Sequence, residues 1–310
     1  MLGFVFPGQG AQTVGMLFEF AETESAIRER FDEASEVIGA PLARYVFEGP
    51  EEQLNLTEFT QPAVLTASIA LWEIWQSRGG AQPEILAGHS LGEYTALICA
   101  GALTFSEGVR LVNLRGQYMQ QAVPAGEGAI AAILGLDDAQ VEQCCAEAQG
   151  LVTPANYNAP GQVAIAGEYA AVESAIEQCK AAGAKRAVML NLSVPVHCAL
   201  MQPAAQQLQE AIAACDLKMP QIPIVHNLDA SVASSLDDLQ AKLLGQLAGP
   251  VQWTRCVQAM AAAGTTRLVE CGPGKVLAGL VKRIDRGIPV TASDSDAALS
   301  KSLAEVASND

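Results

Sequence analysis

The feature that most constrains this chain is Gly88-His89-Ser90-Leu91-Gly92, set between two segments of different character. Before it, Ile85-Leu86-Ala87 is short and apolar, as a buried strand should be. After it, Glu93-Tyr94-Thr95-Ala96-Leu97-Ile98-Cys99-Ala100 is rich in helix formers and has no breaker. A Gly-x-Ser-x-Gly turn between strand and helix is a nucleophile elbow. Its serine occupies a cramped backbone position with the hydroxyl projecting, and side chains two residues away on either side would clash. The following helix N-terminus aims free N–H groups and a positive dipole end at any oxyanion formed there. Strand, turn and helix together predict an α/β core with a parallel sheet and a serine nucleophile at position 90.

A serine needs a base, and the chain has only three histidines. His89 adjoins the nucleophile, so its side chain should point away from that of Ser90. His226 ends the alternating run Ile222-Pro223-Ile224-Val225 and reads as a buried structural histidine. His197 lies in the irregular, proline-bearing link Ser193-Val194-Pro195-Val196-His197-Cys198, and loops of this kind deliver side chains into clefts. His197 is the expected base. Cys198 beside it is a poor rival nucleophile, because adjacent side chains on an extended segment face opposite ways.

The glycine-rich segment Pro7-Gly8-Gln9-Gly10 follows a first strand, Gly3–Phe6. It lacks the terminal Gly-Lys-Ser/Thr of a P-loop, and Thr13 breaks the dinucleotide fingerprint. An amide-lined loop beside an elbow suits an oxyanion better. Helices are expected over 23–39 and 60–78, the second with Pro62 in its first turn. From Pro124 the pattern becomes strand 129–134, helix 138–149, strands 151–156 and 162–166, helix 170–182 and strand 186–190. This βαββαβ order predicts a ferredoxin-like subdomain over 125–191, inserted into a discontinuous hydrolase-like domain of 1–124 and 192–310. The second part resumes with strand 267–271, and Gly272-Pro273-Gly274 opens a further helix.

Arg115 falls on one stripe of a predicted helix over 106–121, with Leu111, Tyr118 and Ala122. An arginine on that largely apolar stripe needs an anion. Two readings stand: a salt bridge to an internal carboxylate, or a bidentate clamp for a substrate carboxylate, which a planar guanidinium fits.

The net charge of −16, from 34 acidic residues against 18 Lys and Arg, makes nucleic acid and anionic membranes poor partners. Met1–Pro7 does not read as a signal peptide, and no apolar run approaches the roughly 18 residues needed to cross a bilayer. Cysteines 99, 144, 145, 179, 198, 215, 256 and 271 show neither disulfide nor zinc spacing. A cytoplasmic enzyme with reduced thiols and no bound metal is expected.

These motifs resemble, in order and from about residue 3 to about 286, those of bacterial malonyl-CoA:acyl-carrier-protein transacylases. The resemblance rests on Phe6-Pro7-Gly8-Gln9-Gly10, Gln61-Pro62-Ala63, Gly88 through Tyr94, Arg115-Gly116 and Asn158-Ala159-Pro160-Gly161-Gln162. It continues in Val194 through Cys198, Asn227, Pro250-Val251-Gln252-Trp253 and Glu270 through Gly274. It implies transfer of a malonyl group from malonyl-CoA to the phosphopantetheine thiol of acyl carrier protein, through a malonyl-serine, in fatty-acid synthesis. No permanently bound cofactor is implied. Ser90 would be nucleophile and His197 base, oriented by the main-chain carbonyl at Gln246 in place of a triad carboxylate. The amides of Gln9 and Leu91 would form the oxyanion hole, Arg115 would hold the malonyl carboxylate, and Asn158 and Gln162 would line the cleft. Val196 replaces the serine usual before this histidine, in a segment that tunes acyl selectivity in related synthases, and His226 replaces a usual asparagine.

An acidic carrier and an acidic enzyme repel, so docking calls for a local basic patch. Lys275, Lys282, Arg283 and Arg286 cluster after Gly274; 275, 282 and 286 share one helical face if the helix runs that far. Lys185 and Arg186 would form the opposite lip. An ordinary solvated charged face is the competing reading. A serine thioesterase or other hydrolase, and a non-catalytic carrier-docking module, are the rival functions. A monomer is expected, since no heptad or long apolar surface stripe is visible.

Overall fold

The computed structural model describes residues 1–124, 126–190 and 194–308. Five strands form a wholly parallel sheet: β1 (Leu2–Phe6), β2 (Ile85–Gly88), β7 (Ile224–Val225), β8 (Arg267–Glu270) and β9 (Val290–Ala292), ordered β7-β2-β1-β8-β9. Alternation along β1 shows why this sheet is covered twice. Phe4 and Phe6 join one apolar cluster with Trp72, Trp75 and Leu86. Val5 points the other way, into a second cluster with Ile85, Ala87, Trp253 and Leu268. Strands buried on both faces cannot carry a polar alternation, so they appear in the sequence as short continuous apolar runs.

The second sheet is antiparallel: β3 (Gly128–Leu134), β4 (Val152–Ala159), β5 (Gln162–Glu168) and β6 (Arg186–Met189), ordered β4-β5-β3-β6. Helices Asp138–Glu147 and Tyr169–Ala181 pack on one face of it over their own apolar cluster. Strand order and helix placement are those of a ferredoxin-like unit. The expected ends of this unit, residues 125, 191 and 192, lie outside the described residues, as does Ser193. The turn between β4 and β5 is Pro160-Gly161 alone, because Ala159 still pairs with Gln162. Strand β4 is fastened to the larger lobe by Tyr157 N donating to Val251 O (2.9 Å) and Val251 N to Ala155 O (2.8 Å). Irregularities at Pro154/Asn156 and Tyr157/Ala159 break its alternation, as bulges do, and Asn156 and Asn158 both line the cleft between the lobes.

Two helices set the position of Arg115. Helix Phe105–Ala122 starts with a capping box, Thr104 and Glu107 satisfying each other's main-chain N–H groups. It crosses helix Thr57–Ser77 at Gly116, where an added Cβ would lie 2.6 Å from the Glu58 Cα. The expected place of Pro62 is corrected here: the helix begins three residues earlier, so Pro62 sits in its second turn. Proline has no N–H for the carbonyl four residues back, that of Glu58. Asn113 Nδ2 donates to this oxygen at 2.9 Å, so the neighbouring helix supplies the missing hydrogen bond.

A second correction concerns the helix after Gly274. It spans Val276–Ile284, with Lys275 as its N-cap and Asp285 already extended. Lys275 and Arg286 therefore do not share a helical face with Lys282. Its N-terminus is held by the buried Glu270 carboxylate, which accepts from Leu277 N (3.0 Å) and Ala278 N (2.7 Å). Among the described residues, no helix is long and apolar enough to cross a membrane.

Candidate active site

The elbow is built by close approach. A Cβ on Gly88 would lie 1.9 Å from the Gly92 carbonyl carbon, and one on Gly92 would lie 2.2 Å from Phe6 O. Ser90 between them has φ 52°, in the left-handed region that a side chain occupies at a cost of about 1–3 kcal/mol. Asn227 holds it there: its Oδ1 accepts from Ser90 N (2.7 Å) and its Nδ2 donates to Gly88 O (2.7 Å). Helix Gly92–Cys99 follows directly.

His197, 2% exposed, also lies in the left-handed region, at φ 59°. Its Nδ1 is 2.7 Å from Gln246 O, and its Nε2 is 2.7 Å from Ser90 Oγ. A carbonyl only accepts, so the proton belongs on Nδ1 and the Nε2 lone pair faces the serine hydroxyl. Burial, reinforced by the Arg115 charge, pushes this imidazole down to about 3 and keeps it neutral. His89 faces away from Ser90: its Nε2 meets Asn158 Oδ1 at 2.8 Å, and its ring lies against Trp253. His226 is buried and binds Glu93 through Nδ1 (2.9 Å). The Cys198 thiol contacts Pro195 O at 3.2 Å, and burial raises it to about 11, which suits no nucleophile.

Arg115 is 1% exposed. Its Nη1 donates to Gln61 Oε1 (2.7 Å), and its Nη2 donates to Gln246 Oε1 (3.0 Å) and Ser90 Oγ (3.3 Å). All three acceptors are neutral, Nε has no partner, and no carboxylate of the described residues pairs with the guanidinium. The internal salt bridge is not what the structure contains. A buried cation with a spare donor beside a serine hydroxyl is chemically suited to an anion.

The cavity over Ser90 measures about 230 Å³. Gln9, Leu91, Asn158 and Gln162 line it, as do Val196 and Met119. Neither the Gln9 nor the Leu91 amide donates to a described residue, while the Gln9 side chain is engaged with Thr57 Oγ1 (3.3 Å). At the mouth stands Val276, 54% exposed. Lys185, Arg186, Lys275, Lys282, Arg283 and Arg286 are all exposed. Arg283 Nη1 donates to Gln162 Oε1 (2.7 Å), and Gln162 and Arg186 both pair with Leu134 in the small sheet. Two strand spacings, about 10 Å, therefore separate the Gln162 and Arg186 backbones. Lys275 is 3.4 Å from Asp294.

Sequence reasoning overlooked the side chains of Gln61, Glu93, Asn227 and Gln246. Gln61 and Gln246 supply the guanidinium's acceptors, and Asn227 braces the elbow. Gln61, at the head of the largely apolar run that continues from Pro62, was the one visible signal, since a buried amide implies a polar partner.

Residues 3–293 match the family model described as an acyl transferase domain. The malonyl CoA-acyl carrier protein transacylase of Salmonella typhimurium is 51% identical over 304 residues, covering 97% of this chain and 98% of that protein. Its counterpart in Bacillus subtilis is 46% identical over 294 residues, covering 94% and 92%. The crystal structure of malonyl-CoA:acyl carrier protein transacylase from Xanthomonas oryzae pv. oryzae matches with a TM-score of 0.96 and 51% identity, covering 98% of each chain. A malonyl-transacylase solved in complex with its type II PKS acyl-carrier protein matches with a TM-score of 0.96 and 47% identity, covering 98% of this chain and 99% of that one. Serine, histidine and unpaired arginine thus lie in a fold shared along its whole length with these enzymes, and the chain belongs to the malonyl-CoA:acyl-carrier-protein transacylase family of acyltransferases.

Proposed function

We propose that this protein transfers a malonyl group from malonyl-CoA to the phosphopantetheine thiol of acyl carrier protein, in fatty-acid biosynthesis. One observation carries this over a hydrolase: a fully buried guanidinium, paired with no carboxylate among the described residues, 3.3 Å from the Ser90 Oγ. A simple thioesterase has no use for a desolvated cation there, whereas a malonyl carboxylate completes its hydrogen bonds.

His197 Nε2 takes the Ser90 hydroxyl proton as Oγ attacks the thioester carbonyl. The Gln9 and Leu91 amides, aided by the elbow helix dipole, receive the charge that develops on the carbonyl oxygen. The C–S bond breaks, the proton passes from His197 to the departing CoA sulfur, and malonyl-Ser90 remains. The carrier thiol then gives its proton to His197 as its sulfur attacks the ester carbonyl; the C–O bond to Ser90 breaks, His197 returns the proton to Ser90 Oγ, and the malonyl group leaves on the carrier. Gln246 O holds the imidazole in the required tautomer. Asn158 and Gln162 line the cleft that receives the thioester arm, and no bound cofactor takes part.

The two lobes comprise 1–124 with 192–310, and 125–191. The whole site comes from one chain, which supports a monomer, and eight free thiols support a cytoplasmic setting. The carrier docks at the mouth, with Lys282 and Arg283 on one lip and Lys185 and Arg186 on the other; Arg286 and Lys275 contribute from outside the helix. The contact between Arg283 and Gln162 supports this, since it joins the helix carrying Lys282 and Arg283 to the small sheet that carries Arg186, so the two basic groups face each other across one opening.

Radiolabelled malonyl-CoA, with and without carrier protein, tests the reading. Label moving through the enzyme to the carrier is the expected result. Free malonate alone would mark a hydrolase, and an unlabelled enzyme a docking module.

A further inference from the structure

Beneath the nucleophile lies a polar cluster that touches no reacting atom. Glu93, in the first turn of the elbow helix, is completely buried. Its Oε1 accepts from His226 Nδ1 (2.9 Å) and Asn227 N (2.8 Å), and its Oε2 accepts from Gln246 Nε2. Three N–H donors make such burial tolerable for a carboxylate. Gln246 relays the arrangement upward. Its Nε2 also donates to Ser90 O (2.8 Å), while its Oε1 accepts from Arg115 Nη2 (3.0 Å).

An amide has two unlike ends, and its partners decide which way it faces. A carboxylate accepts only, so the Gln246 nitrogen must face Glu93 and its oxygen must face the guanidinium. We infer that Glu93 is a positioning residue for acyl selectivity, fixing the Arg115 guanidinium beside Ser90 through the orientation of the Gln246 amide. The inference rests on reading Arg115 as the clamp for the malonyl carboxylate.

Glu93→Gln isolates the effect because it keeps the shape. The main-chain N–H of Asn227 cannot be reversed, so the oxygen of the new amide must stay on that side. Its nitrogen then faces Gln246 Nε2, donor against donor. Gln246 must turn over, which points its nitrogen at Arg115 and replaces an acceptor by a donor. The bond from Ser90 N to Asn227 Oδ1 and the carbonyl that orients His197 remain, while the donations from Gln246 Nε2 to Ser90 O and Asn227 Oδ1 are lost for both substrates alike and leave the malonyl-to-acetyl ratio as the readout. Acyl transfer from acetyl-CoA, which has no carboxylate, should therefore persist.

The test measures kcat/KM for malonyl-CoA and acetyl-CoA in the parent, Glu93→Gln, Gln246→Met, their double variant and Arg115→Ala. The malonyl-to-acetyl ratio should fall roughly tenfold to a hundredfold in Glu93→Gln, the scale of one hydrogen bond to a charged group. It should fall also in Gln246→Met, and Glu93→Gln should add nothing in that background. Equal losses for both substrates in Glu93→Gln would overturn the inference, as would a rise in malonyl preference, which would make Glu93 a bare charge opposing the anion. If Glu93→Gln does not fold, an unchanged ratio in Gln246→Met overturns it alone. Equal losses in Arg115→Ala would instead sink the clamp reading itself.

Discussion

Replacing Arg115 by Ala should reverse the substrate preference rather than simply weaken the enzyme. The guanidinium is desolvated, its three hydrogen-bond partners are neutral and it lies over the Tyr94 ring, so a malonyl carboxylate would be its charged partner. Removing one member of a buried ion pair costs about 3–5 kcal/mol, which is about 200- to 4,000-fold in kcat/KM for malonyl-CoA. For acetyl-CoA the same deletion acts in the opposite sense. Arg115 donates to Ser90 Oγ at 3.3 Å, occupying a lone pair of the nucleophile, and its charge helps hold His197 down to about 3. Without it, His197 becomes a stronger base and the Ser90 oxygen is released. Acetyl transfer should hold or rise. If Arg115 is the clamp, a malonyl carboxylate bound to it would perform the same neutralisation in the parent enzyme. Steady-state transfer to carrier protein, measured with both thioesters at matched concentrations, reads this out. Parallel losses for the two substrates would refute the argument and leave Arg115 a structural residue.

Three further outcomes are expected. Ser90→Ala should abolish covalent malonylation detected by mass spectrometry; an acyl-enzyme in that variant would place the nucleophile elsewhere. Lys282→Glu with Arg186→Glu should raise the carrier KM about threefold to tenfold and leave acylation by malonyl-CoA unchanged, and added salt should slow only the carrier step; an unaltered carrier KM would move docking away from this edge. Burial raises Glu270 to about 7, against an ordinary value of 4.5, so the folded state holds a proton that the unfolded chain has released. Its contribution to stability is complete below about 4.5 and lost as pH rises through about 7, on the order of 3 kcal/mol, and denaturant melts of Glu270→Gln across pH 4–8 should lack that decline.

What the sequence disclosed and what it hid divide along a physical line. The elbow was legible because steric exclusion acts on neighbours in the chain: Gly88 and Gly92 must both lack a Cβ for Ser90 to stand where it does. The antiparallel sheet was legible because each strand and helix carries its own period, and the ends erred by only a few residues. Arg115 was visible as a charge on an apolar stripe, yet its partner was not, since Gln61 and Gln246 lie 54 and 131 residues away. Pro62 misled because the Glu58 carbonyl it leaves unmatched accepts from Asn113 on another helix, a contact no local rule can supply. The basic residues after Gly274 misled for the opposite reason: their spacing was helical, but the helix stops at Ile284 before Arg286 is reached.

The same division explains how the site is assembled. Ser90 and His197 both occupy left-handed backbone conformations that neither residue favours, and each is held there by groups remote in sequence. Gln246 touches the Ser90 carbonyl, His197 and the Arg115 guanidinium with three different atoms. A hydrolytic triad orients its histidine with a carboxylate, whose charge would lie next to the incoming malonate and repel it. A main-chain carbonyl fixes the same tautomer without that charge. The one buried carboxylate in the network, Glu93, stands behind Gln246, where it can order the amide without pairing with the guanidinium. On the proposed roles, the site separates the two duties of an acidic residue, orientation and charge, because an anionic substrate would tolerate only the first beside Ser90.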